Sequence, residues 1–246
     1  VKDATFVLFV VCALVSEILG TLGGFGSSML FVPIANFFMD FQAVLGITAV
    51  FHIFSNTSKL WLFRKHLDWK TIGIIGVPSV VFVLIGAVFS AKWNSSALQM
   101  VLGIFLCLIA VLFLIKPSLK VKKNNAVLLS LGGLAGFVAG LLGTGGAIRG
   151  IALSSLGFGK ELFIGTSAAI DFAVDFARAV VYWESGFIRV SEINYIIALF
   201  FVAIIGSYIG KKMLEKMDQN QFQKIVLIFI FISGGLLIIK QFKIFY

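Results

Sequence analysis

One apolar stretch in the second half of the chain holds Asp171, Asp175 and Arg178. The spacing i, i+4, i+7 puts them on one face of a helix. In the first half, His52, Asn56 and Lys59 repeat that spacing. The two sets lie 119 positions apart, pairing His52 with Asp171, Asn56 with Asp175 and Lys59 with Arg178. Thr48 and Ser167 extend the two faces by another turn. A charge within lipid costs about 2.5–3.5 kcal/mol, so such residues mark substrate or proton routes or pair with one another. Lys59, Arg178 and Asn56 are candidates for holding an anion. The alternative is an Asp175–Arg178 pair that only locks helix packing.

Glu17 lies in the first apolar segment, one turn before Gly20. It reads as a proton carrier or as the partner of Lys59 or Arg178. Burial favours a neutral carboxyl, so Asp171 and Asp175 are proton-coupling candidates too, and His52 is another. For His52 a hydrogen-bonded packing role is the competing reading. Arg149, whose repeat counterpart is Met29, either binds a substrate oxyanion or snorkels to the interface. Asp40 and Glu161 fall at helix ends and are expected to be solvated.

Two glycine clusters complete the candidate set: Gly23, Gly24 and Gly26, and Gly143, Gly145 and Gly146. Each precedes a short apolar segment, Ser27–Met39 or Ala147–Phe158. Such a stretch reads as a half-helix or re-entrant segment. The free N–H groups and the dipole at the start of a half-helix favour an anion, and two such ends meeting at the midplane form a transporter site. Close helix packing is the other use of such glycines.

The elements that position these residues follow from composition. Of 246 residues, 60% are hydrophobic and 13% charged, and the mean hydropathy is +1.07. A soluble domain carries about a quarter charged residues. The composition therefore specifies an all-α polytopic membrane protein and excludes disordered and disulfide-framework classes. Eight segments approach the roughly 20 residues a membrane helix needs: Ala4–Leu22, Ala43–Phe63, Ile72–Ala91, Ala97–Ile115, Ala126–Leu142, Leu162–Tyr182, Ile193–Gly210 and Phe222–Ile239. The first reads as a retained helix rather than a signal peptide, since it carries Glu17 and lacks an A-x-A cleavage pattern. With the short segments, each half reads long, short, long, long, long. The expected organisation is a first membrane repeat over residues 1–115, a basic connector over 116–125 and a second repeat over 126–246.

The net charge of +9 is concentrated beyond apolar segments, at Arg64, Lys65 and Lys70, then Lys116, Lys120, Lys122 and Lys123, then Lys211, Lys212 and Lys216. These are cytoplasmic flanks rather than a nucleic-acid footprint. All three agree if each long-plus-short pair crosses an even number of times, which gives an inverted-topology repeat with both termini outside. If the short segments fail to return in this way, the repeats are parallel.

In its glycine stretch Gly23-Gly24-Phe25-Gly26 running to Pro33, its Gly46-Ile47-Thr48, its basic exit ending in Asp68-Trp69, and the second-half echoes Gly143–Gly146 and Gly165-Thr166-Ser167, the chain resembles the TauE/SafE family of sulfite exporters, also called TSUP. The second half departs from the pattern with Leu153 opposite Pro33, and with Arg149. The resemblance implies transport of a small sulfur-containing anion such as sulfite, sulfoacetate or thiosulfate across a bacterial inner membrane.

The leading expectation is a secondary transporter of a small oxyanion working by alternating access. An anion channel and a membrane-embedded assembly partner are the alternatives. A channel needs a continuous wet pore, and a partner protein needs a polar loop longer than the one around Lys116–Asn125. No HExxH, GxSxG or Walker pattern is present, so no enzymatic activity is expected. No cofactor is expected, and two histidines without ligand spacing make a metal site improbable. The expected partners are the anion and the lipid bilayer, with a homo-oligomer as an option and no nucleic acid.

Overall fold

The structure, a computed structural model, describes residues 2–23, 26–116, 119, 121–214 and 219–245. The described chain is helical, with no strand. The first half comprises α1 (Lys2–Gly23), α2 (Ser28–Ala35), α3 (Phe41–Leu62), α4 (Trp69–Lys92) and α5 (Ser95–Ile115). The second comprises α6 (Asn125–Leu142), α7 (Gly146–Ser154), α8 (Lys160–Glu184), α9 (Ile193–Leu214) and α10 (Gln219–Phe245).

Among the described residues, five segments are long and apolar enough to cross a membrane: Ala4–Leu22, Trp69–Lys92, Ser95–Ile115, Asn125–Leu142 and Val190–Leu214. The chain is a multi-pass membrane protein. Helices α3 and α8 have the length to span, with 22 and 25 residues, but their polar stripes lower their apolarity. Large hydrophobics such as Val81, Phe82, Leu108, Phe201 and Ile205 point outward, as expected when lipid rather than water covers the surface. Trp61, Trp69, Trp93 and Trp183 are exposed near helix ends, the place of an interfacial belt.

Local sequence sets the boundaries. Asp40 caps α3 by accepting from the Ala43 amide at 3.0 Å. Asn94 and Asn124 do the same for α5 and α6. Pro78 has no N–H to return to Ile74, and the chain widens into a π-turn over Ile72–Gly76 just before it. Asp68 caps α4 through the Thr71 amide at 2.7 Å, and the hydroxyl and amide of Thr71 hold its carboxyl below the usual carboxylate range. Its capping is thus complete at neutral pH and is lost only as acid protonates the group. Asp68→Ala should lower stability by about 1 kcal/mol, read as a lower thermal midpoint in detergent at neutral pH. An unchanged midpoint would remove the cap.

The main packing pairs come in matching sets. Helix α1 packs on α9 as α6 packs on α4, and α3 contacts α9 as α8 contacts α4. Helix α3 lies against α8, and α5 against α10. Both of these last pairs are antiparallel. Gly46, early in α3, abuts the Phe187 backbone beyond the end of α8, while Gly165, early in α8, abuts His66 beyond the end of α3. Gln99 meets Gln241, and Cys107 meets Phe231. Gly132, Gly136 and Gly140 of α6 lie directly on the carbonyls of Ile75, Ser79 and Val83 in α4, so any side chain there would push the helices apart.

The short helices are return strokes. At about 1.5 Å per residue, α2 and α7 rise roughly 12–14 Å, far short of a hydrocarbon core of about 30 Å. Lys123, ahead of α6, donates to Leu156 O beyond α7, so this hairpin starts and ends at one end of the bundle. That end also carries the His66–Glu161 contact at 2.9 Å and the bond from Lys211 Nζ to Leu62 O. Phe9 of α1 packs edge-on against both Phe31 of α2 and Phe38 just after it, so the first hairpin also turns back on itself. Its end shares the opposite face with the Asp40–Arg189 pair and the bond from Lys240 Nζ to Asn36 O. Asp40 and Glu161 are half exposed at their helix ends, and each also meets a partner side chain. Pro117, Lys120 and Lys216 of the basic stretches lie outside the described residues.

Candidate functional site

The two hairpins bring the starts of α2 and α7 together, where Ser28 Oγ donates to Thr144 Oγ1 at 3.1 Å. Between them and the polar faces of α3 and α8 lies a central cavity. Gly26, Gly143, Gly145 and Gly146 line it together with His52, Asn56, Lys59, Arg149, Asp171, Asp175 and Arg178. All of these are candidates read from the sequence, and the first residues of both short helices, Ser28 and Gly146, line the same place. Gly23 ends α1; Gly24 lies outside the described residues.

Glu17 is fully buried and enclosed by donors. Lys59 Nζ lies 2.8 Å from Oε1. Ser27, Ser55, Ser207 and Thr21 donate hydroxyls to the same carboxylate at 2.7, 2.6, 2.9 and 3.3 Å. Lys59 is further held by Ser55 Oγ at 2.8 Å. This cluster ties α1, α3 and α9 together at the point where the chain turns into α2.

Asp175 is the second hub. Its Oδ1 accepts from Arg178 Nε at 2.8 Å and lies 2.7 Å from Nη2, while Oδ2 accepts from Asn56 Nδ2 at 2.8 Å. The bond between Asn56 and Asp175 joins two residues that are 119 positions apart, one on α3 and one on α8. Arg178 also donates to Ala139 O, and Tyr182 to Gly140 O, which fixes the broken end of α6. Gly143 closes that end at φ +77°, and a Cβ there would sit 2.7 Å from Leu45 Cδ2.

Arg149 turns inward instead of snorkelling. It is 3% exposed, pairs with both carboxylate oxygens of Asp171 and donates from Nε to Ser167 Oγ at 3.0 Å. Asp171 is the most open carboxylate of the cavity, with 18% of its side chain exposed. It also borders a small cleft toward Ile164 and Gly20, leading to the basic end of the bundle. Gly145 serves two purposes: it lines the cavity, and its missing side chain admits the Ala135 carbonyl, which a Cβ would overlap. The free space left at the centre is about 20 Å³, enough for one water.

The sequence reading missed Ser27, Ser55, Thr144, Tyr182 and Ser207. Ser55 carried a signal, standing one turn before Lys59. Ser207 carried none, being an isolated small polar residue on an apolar helix. Ser167 is held by Arg149, whereas Thr48 on α3 is buried with no hydrogen-bond partner among the described residues.

Comparison with known proteins agrees in its direction. The family described as sulfite exporter TauE/SafE matches residues 8–237. The chain is similar to a probable membrane transporter protein, YunE, of Bacillus subtilis (strain 168), with 26% identity over 95% of this chain and 97% of that protein. It is also similar to the probable membrane transporter protein MJ0441 of Methanocaldococcus jannaschii, with 31% identity over 57% of this chain and 58% of that protein.

Proposed function

The chain belongs to the TauE/SafE family of membrane transporters, and we propose that it moves a small sulfur-containing oxyanion across a bacterial inner membrane by alternating access. The observation that carries this is the meeting of two half-helix starts with two buried arginines, Arg149 and Arg178, in one cavity. An oxyanion leaving water needs strong replacement donors, and guanidinium groups and first-turn amides suit its oxygens. The tightness of the cavity, with room for one water, favours a carrier over a channel. The proposed test is uptake of labelled sulfite and thiosulfate by proteoliposomes of the purified chain. Saturable uptake of either supports the reading; ion-like conductance without saturation would favour a channel, and uptake of neither would sink it.

The matching contacts and the antiparallel pairing of α3 with α8 and α5 with α10 support an inverted repeat of residues 1–115 and 126–246 about a membrane-plane axis. On that reading the end with Arg64, Lys123 and Lys211 is cytoplasmic and Asp40 and Arg189 face outside. A cysteine placed at Arg189 should react with a membrane-impermeant reagent added to intact cells, and one at Lys65 should not. The reverse pattern would invert the map.

A further inference from the structure

Three cations line the cavity among the described residues, each paired with a carboxylate: Arg149 with Asp171 and Arg178 with Asp175 in the lining, and Lys59 with Glu17 just behind it. Its fixed charge already cancels. An oxyanion that takes Arg149 and Arg178 must displace Asp171 and Asp175, and would leave both carboxylates ionised beside it in a site of low dielectric. Glu17 is not so exposed to competition, because four hydroxyls and Lys59 hold it.

His52 shows where an added proton fits. Ser27 has one hydroxyl hydrogen and gives it to Glu17. Its contact with His52 Nε2 at 3.1 Å then requires Nε2 to carry the hydrogen. In a neutral ring Nδ1 is left with a lone pair, and it faces Asp175 Oδ2 at 3.9 Å. Two acceptors confront one another with no hydrogen between them. Every charged group near that gap belongs to the same set: Glu17 on α1, Lys59 on α3, Arg149 on α7, and Asp171 and Arg178 on α8, with the Tyr182 hydroxyl directed to Gly140 O. Helices α4, α6 and α9 place no charged side chain there among the described residues.

We propose that the cavity is also a proton site, in which protons taken up at Asp171 and at the His52–Asp175 gap enter with the oxyanion, one for each negative charge it carries. The inference rests on the anion-carrier reading above. Protonation releases each arginine from its carboxylate as the anion arrives. In the empty carrier the carboxylates return to the arginines, so the site is neutral again and can reorient without an exchanged anion. Asp171, beside the cleft toward the basic end, is the first carboxylate to be reached.

The test uses the full chain in proteoliposomes holding a pH-sensitive dye, with the membrane potential set by potassium and valinomycin. Labelled thiosulfate is the probe, because it is fully ionised at neutral pH and brings no proton of its own. The expected result is labelled uptake with internal acidification, at a rate insensitive to the potential. Asp171→Asn should reduce the rate and lower the protons counted per anion, and make uptake faster when the interior is positive. His52→Gln, whose amide still donates to Ser27, should also lower the proton count. Uptake without acidification and driven by an interior-positive potential overturns the proton site while leaving the anion carrier intact. A wild-type proton count kept by both variants overturns the assignment to these residues. Absence of uptake of labelled thiosulfate, and of labelled sulfite tested in its place, overturns the carrier reading and the coupling with it.

Discussion

The double variant Arg149→Gln, Asp171→Asn should fold, insert and bind a sulfur oxyanion far more weakly. The two residues are each other's partner, so removing both charges leaves no unpaired ion in the interior. The two substituted side chains can still meet amide to amide, and the new glutamine can still reach Ser167. Removing Arg149 alone is a poorer test, since Asp171 would lose its cation beside Asp175. A hydrogen bond to a charged group contributes about 1.5–3 kcal/mol, so the loss of the guanidinium should weaken affinity on the order of 10- to 100-fold or more. The measurement is thiosulfate affinity by competition against labelled uptake, next to a detergent melting curve that establishes folding. The same design applied to Asp175→Asn with Arg178→Gln is informative by contrast. Arg178 also holds the Ala139 carbonyl at the broken end of α6, so that pair should lose both stability and binding. A folded Arg149–Asp171 double variant with unchanged affinity would remove Arg149 from the site.

The polar stripes were legible in the sequence because helical periodicity acts along the chain. The spacing of His52, Asn56 and Lys59 recurs in Asp171, Asp175 and Arg178, and a bond from Asn56 to Asp175 joins the two stripes. Glycine clusters likewise stand just ahead of the short helices α2 and α7. Partner choice was another matter. Nothing in the spacing tells Glu17 to take Lys59 rather than Arg178, or Arg149 to reach Asp171 across 22 positions. Those pairings depend on how α1 and α7 are laid against their neighbours. Gly145 shows the same limit. Its place before a half-helix suggested an anion cradle, while its contact with the Ala135 carbonyl is a packing demand visible only once α6 and α7 are assembled. Ser207 lies beyond any local rule, since its only mark is the carboxylate it meets from the far end of the chain.

Glu17→Ala should be among the most damaging single changes outside the arginine sites. It leaves the Lys59 ammonium, 6% exposed, without its carboxylate, and strands four hydroxyls that now donate to one acceptor group. Breaking a buried ion pair from one side costs about 3–5 kcal/mol, so little folded protein should survive detergent extraction. The double variant Glu17→Gln, Lys59→Met separates a lock from a binding group. The introduced glutamine keeps an oxygen for the hydroxyls, and Ser55, Ser207 and Thr21 can also turn back to carbonyls one helical turn earlier. The introduced methionine fills the stem volume of the lysine with no charge to bury. Replacing a buried pair in this way is often neutral or stabilising, so the folded yield should recover, read as monodisperse protein with a melting point near that of the wild type. Uptake should recover with it, because Lys59 is engaged by Glu17 and Ser55 and the anion is proposed to compete for Arg149 and Arg178. A double variant that folds and takes up no anion would put Lys59 in the substrate path, and the three cations of the cavity would then have to act on the anion together.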